Sequence, residues 1–113
     1  MDVLKTVNVI EVLENYLELR RPPEPFRKEV DLAYKIEKQS VIIFELRPFW
    51  DRPDKMIESN IAKATFVASK KHWKVFWQRA DLEWHSYSPC PTVTSISDFI
   101  DLIEEDKHGC FWG

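Results

Sequence analysis

The chain has 113 residues, 44% of them hydrophobic and 31% charged, the composition of an ordinary globular protein. That length predicts one domain over residues 1–113 and leaves too few residues for a second core. The net charge of −3 argues against a general nucleic-acid binder, because neutralising phosphates takes a basic excess or at least a basic face. The 2 glycines exclude a Gly-rich phosphate loop, and no cofactor is expected.

No run of about 18 apolar residues offers a membrane span. Acidic residues inside the N-terminal apolar stretch argue against a signal peptide, so a cytoplasmic protein with reduced Cys90 and Cys110 is expected.

In chain order, Leu4, Val7, Ile10, Leu13 and Leu17 recur at steps of three and four, predicting an amphipathic helix with Asp2 as N-cap. Arg20 and Arg21 suit the negative end of its dipole, and Pro22, Pro23 and Pro25 stop it. Val30 to Ile36 alternates as a strand does, Glu37-Lys38-Gln39 is a polar turn, and Val41 to Leu46 is an apolar, β-branched run typical of a central strand. Pro48 to Asn60 reads as a long irregular loop. Strands follow over Ile61–Ala68, His72–Gln78 and Leu82–Tyr87, with links short enough for hairpins. Ser95 with Asp98 forms a capping box for a second helix, whose apolar stripe is Ile96, Phe99, Ile100 and Ile103. Gly109 is its expected stop, and the apolar end Cys110-Phe111-Trp112-Gly113 is expected to dock. The fold class is therefore α+β: a twisted antiparallel meander of about five strands packed by an N-terminal and a C-terminal helix.

Several stretches resemble a family of short uncharacterised bacterial proteins, the domain-of-unknown-function family three thousand and twenty-four. They are Arg20-Arg21-Pro22-Pro23, Phe44 to Pro48, Trp50-Asp51, Ala62 to Thr65, Trp73 to Tyr87 and the closing Cys110 to Gly113. The resemblance spans nearly the whole chain in order. It implies a stand-alone bacterial domain and supplies no activity and no catalytic residues.

Four constellations could carry chemistry. Asp31 with Glu45-Leu46-Arg47, after a helix bearing Glu11, Glu14 and Glu18, is similar in order to a metal-dependent nuclease core, where carboxylates hold Mg²⁺. Arg47 departs from it, since a guanidinium stays protonated and cannot act as a base. The plainer expectation is that Glu45 and Arg47 share a strand face and pair with cross-strand neighbours such as Lys35 or Asp31.

His85, Cys90, His108 and Cys110 are the ligand types zinc prefers, but their spacing matches no standard zinc motif; isolated thiols and imidazoles are the plainer expectation. A Cys110 nucleophile beside His108 or His85 would need an electropositive, partly exposed thiol, whereas a Cys next to Phe111-Trp112 is expected to be buried and inert.

The fourth is basic and aromatic. Trp73, Val75 and Trp77 occupy one face of a strand, and Lys74, Phe76 and Gln78 the other. Such a sheet can stack single-stranded bases if its rings are exposed, although burial of Trp73, Val75 and Trp77 in the core is the default. Trp50 and Arg52, in the Pro-stiffened stretch, are residue types that anchor protein interfaces, with Arg20 and Arg21 as an extension of that patch and Arg79 at the strand end. The expected function is a non-catalytic binding module for a protein or single-stranded nucleic acid, with the nuclease core as the alternative. An open cleft holding Asp31 and Glu45 would favour the enzyme, and rings on a bare sheet face would favour binding.

Overall fold

The computed structural model describes residues 1–26 and 30–113, without the Phe26 side chain. Asp2 caps helix α1 (Val3–Arg20) by accepting the Lys5 N–H at 2.8 Å. Strands β1 (Asp31–Glu37), β2 (Ser40–Phe49), β3 (Arg52–Val67), β4 (His72–Gln78) and β5 (Trp84–Ser86) follow, then β6 (Thr92–Val93) and helix α2 (Ile96–Glu105). They form the expected antiparallel meander, ordered β1-β2-β3-β4-β5, with β6 added on β4. Tight connections enforce that order: Lys38 turns β1 into β2 in the left-handed region (φ 55), and Lys71 does the same before β4 (φ 51).

The last strand is broken. Leu82 lies at φ 64 and is exposed, so the expected strand Leu82–Tyr87 shrinks to Trp84–Ser86. The chain then leaves the edge between Tyr87, whose N–H donates to Val75 O at 2.9 Å, and Pro91, whose O accepts the Val75 N–H at 3.0 Å, and returns as β6.

Both helices pack on one sheet face. Leu13, Phe99 and Ile103 meet Val41, Ile43, Ala62, Ala64, Trp73 and Val75 in a single cluster of fully buried side chains. Small alanines at Ala62 and Ala64 leave room for the helices over the sheet centre, and burying Trp73 and Phe99 supplies much of the apolar area that holds the layers together.

The buried stripe of α1 differs from the expected one. Val9, Leu13, Tyr16 and Leu17 face the core, whereas Leu4 is 84% exposed and Val7 and Ile10 are exposed as well. Apolar residues surround the first half of this helix, so periodicity permits two stripes, and contact with β1 and α2 selects one.

Helix α2 keeps its expected stripe and its Ser95 cap, with Asp98 N–H donating to Ser95 Oγ at 3.0 Å, while the Asp98 carboxylate accepts the Thr94 hydroxyl at 2.9 Å instead of the Ser95 N–H of a full capping box. It ends earlier than Gly109, at Asp106 in the left-handed region (φ 42). The Asp106 carboxylate then accepts the N–H groups of Phe111 (3.1 Å) and Trp112 (2.9 Å). This latch docks the tail: Phe111 stacks on Tyr87 at 4.8 Å, and Trp112 donates its indole N–H to Ile103 O at 3.0 Å.

Pro48 to Asn60 is not an irregular loop. It is a β-ribbon, closed by Trp50-Asp51, in which β2 and β3 pair on past their neighbours. Pairing with β1 ends at Leu46, opposite Asp31, and pairing with β4 ends at Ala62, opposite Trp77. A bulge between Ile43 and Phe44 re-aims the ribbon where it leaves the sheet. Prolines and charges hid the ribbon from sequence reading, because a two-stranded arm with both faces in water needs no apolar alternation.

Candidate binding face and its neighbours

No described helix covers the second face of the sheet. Register fixes what it presents. One row runs Lys35, Ile42, Lys63, Phe76 and Ser86 across five strands. Beside it lie Phe44 and Trp84, and on the other flank Thr65 and Lys74. The Lys63 ammonium sits over the Phe76 ring at 5.1 Å and over the Trp84 ring at 5.6 Å. Lys35 lies over Phe44 at 5.3 Å and also meets Glu58 at 3.0 Å. Lysine stems therefore screen Ile42 and Phe44, while Phe76 and Trp84 stay half-exposed. Asn60, opposite Phe44 at the bulge, has an amide oxygen with no hydrogen-bond partner among the described residues.

The helices hold seven acidic residues against two basic ones, a net −5, so the rest of the chain is net positive by two.

The basic and aromatic candidates separate in space. Lys74 lies exposed on the bare face, as its parity requires, and Trp73, Val75 and Trp77 turn to the helix side, as expected of a core strand. Arg79 covers Trp77 there at 5.5 Å. Trp50 and Arg52 stand at the ribbon tip, Trp50 at 86% exposure. Arg20 and Arg21 do not extend that patch. Arg20 binds Glu104 at 3.0 Å and stacks over Trp112 at 4.5 Å, and Arg21 grips both oxygens of Asp31 at 2.8 and 2.5 Å. The residues sequence reading missed are Lys63, Trp84, Phe44 and Lys35. Parity within each strand was readable, but the cross-strand register that gathers them was not.

Asp31 and Glu45 do share a cleft. It holds about 120 Å³, lies at the base of the ribbon, and is lined by Arg20, Pro22, Val30, Leu32 and Trp112 as well. Their strand positions differ, however: Asp31 is opposite Leu46 and Glu45 is opposite Leu32, so the two carboxylates belong to opposite pleat faces. Arg47 reaches Glu45 at 3.0 Å along the same strand, whereas the expected cross-strand partners go elsewhere, Lys35 to Glu58 and Asp31 to Arg21. Glu14 accepts the Tyr34 hydroxyl at 2.7 Å. Glu11 and Glu18 lie exposed on α1.

Among the described residues no three His, Cys, Asp or Glu side chains converge as metal ligands. His85 hydrogen-bonds Asp81 at 2.8 Å, and Asp81 is held below the usual carboxylate range first by the Glu83 N–H and then by His85. Cys90 Sγ approaches Thr92 O at 3.4 Å, and Cys110 Sγ approaches His108 O at 3.9 Å. Burial, followed by the nearby Asp106 charge, pushes the Cys110 thiol up, away from the thiolate a nucleophile requires. No described helix is long and apolar enough to cross a membrane.

These features define an α+β protein with a helix-covered face, a lysine-and-ring face and a projecting two-stranded arm. The chain belongs to the family described as Domain of unknown function (DUF3024), whose model matches residues 1–113. Comparison with curated proteins and with solved structures gives no match.

Proposed function

We propose that the chain is a cytoplasmic, non-catalytic binding module whose uncovered sheet face takes single-stranded nucleic acid. One observation carries the reading: Lys63 bridges the half-exposed rings of Phe76 and Trp84 on the face the helices leave open. Rings of this kind stack successive bases without regard to sequence, and flexible ammonium groups beside them meet the phosphates. Lys74 adds an exposed ammonium to the same face, Lys35 on it is paired with Glu58, and the acidic helices lie on the far side.

Titrating Trp fluorescence with oligo-dT of about 12 nucleotides at low salt tests this. Quenching with micromolar affinity is expected. Two to three phosphate contacts give a shallow salt slope, with log K falling about 1.5–2 per decade of salt for a single strand. Lys63→Glu, at a half-buried position and with its fold checked by circular dichroism, is expected to abolish binding. An unchanged signal at about 100 µM oligonucleotide, or full binding by Lys63→Glu, overturns the reading.

A further inference from the structure

The outer edge of β1 and the stripe of α1 beside it carry a separate inference. β1 is the first strand of the sheet, and its seven pairs with β2 run from Asp31 to Glu37 without a register shift. Its other edge has no strand partner among the described residues. Alternate residues of an antiparallel strand turn their backbone groups away from the partner. The Leu32 N–H donates to the Asp31 carboxylate at 2.8 Å, off the ladder, so Leu32, Tyr34 and Ile36 are the residues whose N–H and C=O groups point outward.

Helix α1 runs the length of that strand in the opposite direction. The Met1 amine meets Gln39 beyond the end of β1, Glu14 accepts the Tyr34 hydroxyl at 2.7 Å, and Arg21 grips Asp31 at the strand's start. Val3, Val7, Ile10 and Glu14 follow at steps of four, three and four, and so form one stripe of the helix. Glu14 ties that stripe to β1, yet Val3, Val7 and Ile10 on it remain 78%, 55% and 38% exposed. Past Ile10 the stripe opens on a hollow of about 290 Å³ lined by Glu14, Leu17, Glu18 and Arg21. Arg21 is turned onto Asp31, so the hollow keeps its carboxylates for another cation. A free backbone edge therefore lies beside a wall that is apolar at one end and acidic at the other.

We propose that this groove takes an extended peptide segment of another protein as an added antiparallel strand, with apolar side chains against Val7 and Ile10 and a Lys or Arg in the hollow beside Glu14 and Glu18. Spacing supports the pairing of those two features. Ile10 and Glu18 are about 12 Å apart along the helix, which is about four residues of strand. Four is even, so the apolar residue and the cation fall on the same side of the added strand. A second copy of the chain fits poorly. Pairing β1 with β1 sets the strands about 4.8 Å apart, whereas the helices lying along them need about 8–10 Å. It would also gather Glu11, Glu14 and Glu18 of both copies. A lone strand brings no helix into that space.

The test uses the full chain and the acetylated, amidated heptapeptide Thr-Val-Thr-Val-Thr-Lys-Thr, which sets its two Val opposite Ile36 and Tyr34 and its Lys opposite Leu32. Titration into isotope-labelled protein is expected to shift the Tyr34 and Ile36 amides with a Kd on the order of 100 µM. N-methylation of both Val removes two ladder donors and is expected to abolish binding, whereas N-methylation of the two inner Thr, whose N–H groups point away, is expected to preserve it. Val7→Asp is expected to weaken binding about tenfold or more, and Leu4→Asp, outside the stripe, to leave it unchanged. A peptide with Glu in place of Lys is expected to bind about tenfold more weakly and to be restored by Glu18→Lys. Lys63→Glu, on the sheet face, is expected to leave peptide binding unchanged, which separates this test from the nucleic-acid reading. No binding at about 2 mM peptide overturns the proposal. So does an N-methyl-Val peptide, a Glu peptide or a Val7→Asp variant that binds as well as its parent, or light scattering that shows a dimer of the chain dissociating when the peptide binds.

Discussion

Asp106 holds the end of the chain, and its replacement gives a graded prediction. Its backbone closes α2 in the left-handed region, and its carboxylate accepts two N–H groups from the tail. A hydrogen bond to a charged group contributes about 1.5–3 kcal/mol when well buried; Asp106 is only half-buried, so about 1 kcal/mol for each bond is the reasonable share. Alanine in the left-handed region costs about 1 kcal/mol more, which Asn and Gly largely avoid. Asp106→Ala is therefore expected to lose about 3 kcal/mol, Asp106→Gly about 2, and Asp106→Asn, which keeps one acceptor oxygen, about 1. The largest loss lowers Tm by on the order of 10 °C. Urea unfolding followed by far-UV circular dichroism measures all three. An alanine variant within about 0.5 kcal/mol of the wild type refutes the latch. A glycine variant as stable as the wild type would reduce the role of Asp106 to backbone conformation, and an Asn variant as poor as Ala would refute the graded ledger.

Two further outcomes test the fold and its titration. Leu13→Ala, at a fully buried position, is expected to cost about 2–5 kcal/mol, whereas Leu4→Ala is expected to fall within about 0.5 kcal/mol of the wild type. The reverse ranking in urea unfolding would mean that α1 presents its other stripe to the sheet. Burial, then the Glu14 hydrogen bond and charge, push the Tyr34 phenol up to about 12, and Tyr16 is raised beside Glu104 first by burial and then by a similar bond. The fold then holds these protons more tightly than the unfolded chain does. Stability is full below the unfolded phenol value of about 10 and is lost as pH rises from there through the folded value. Urea titrations are expected to show that decline between about pH 10 and 12, shallower in Tyr34→Phe; an identical slope in the variant rejects the assignment.

Local chemistry was legible wherever one residue and its near neighbours decide the outcome. Asp2 and Ser95 cap helices because a short side-chain oxygen three residues ahead of an amide has little else to bond. The β1–β2 and β3–β4 hairpins follow from apolar runs joined by short polar links, and the Ser95 cap and apolar stripe of α2 survive intact. The candidate site was half legible. Alternation in β4 separated Lys74 and Phe76 from Trp73 and Trp77, but not which side the helices would cover.

The sequence by itself determined that this chain is α+β, that its sheet is an antiparallel meander, and that its apolar tail docks, because periods of 2 and 3.6 and tight turns are local constraints. Tertiary structure alone decided the rest. Lys35, Lys63, Phe76 and Trp84 come from four strands and share a face only through register. Asp31 meets Arg21 because the end of α1 returns over β1. The stretch from Pro48 to Asn60 becomes an arm because β1 and β4 end before it does, and no residue within the stretch records where its neighbours stop.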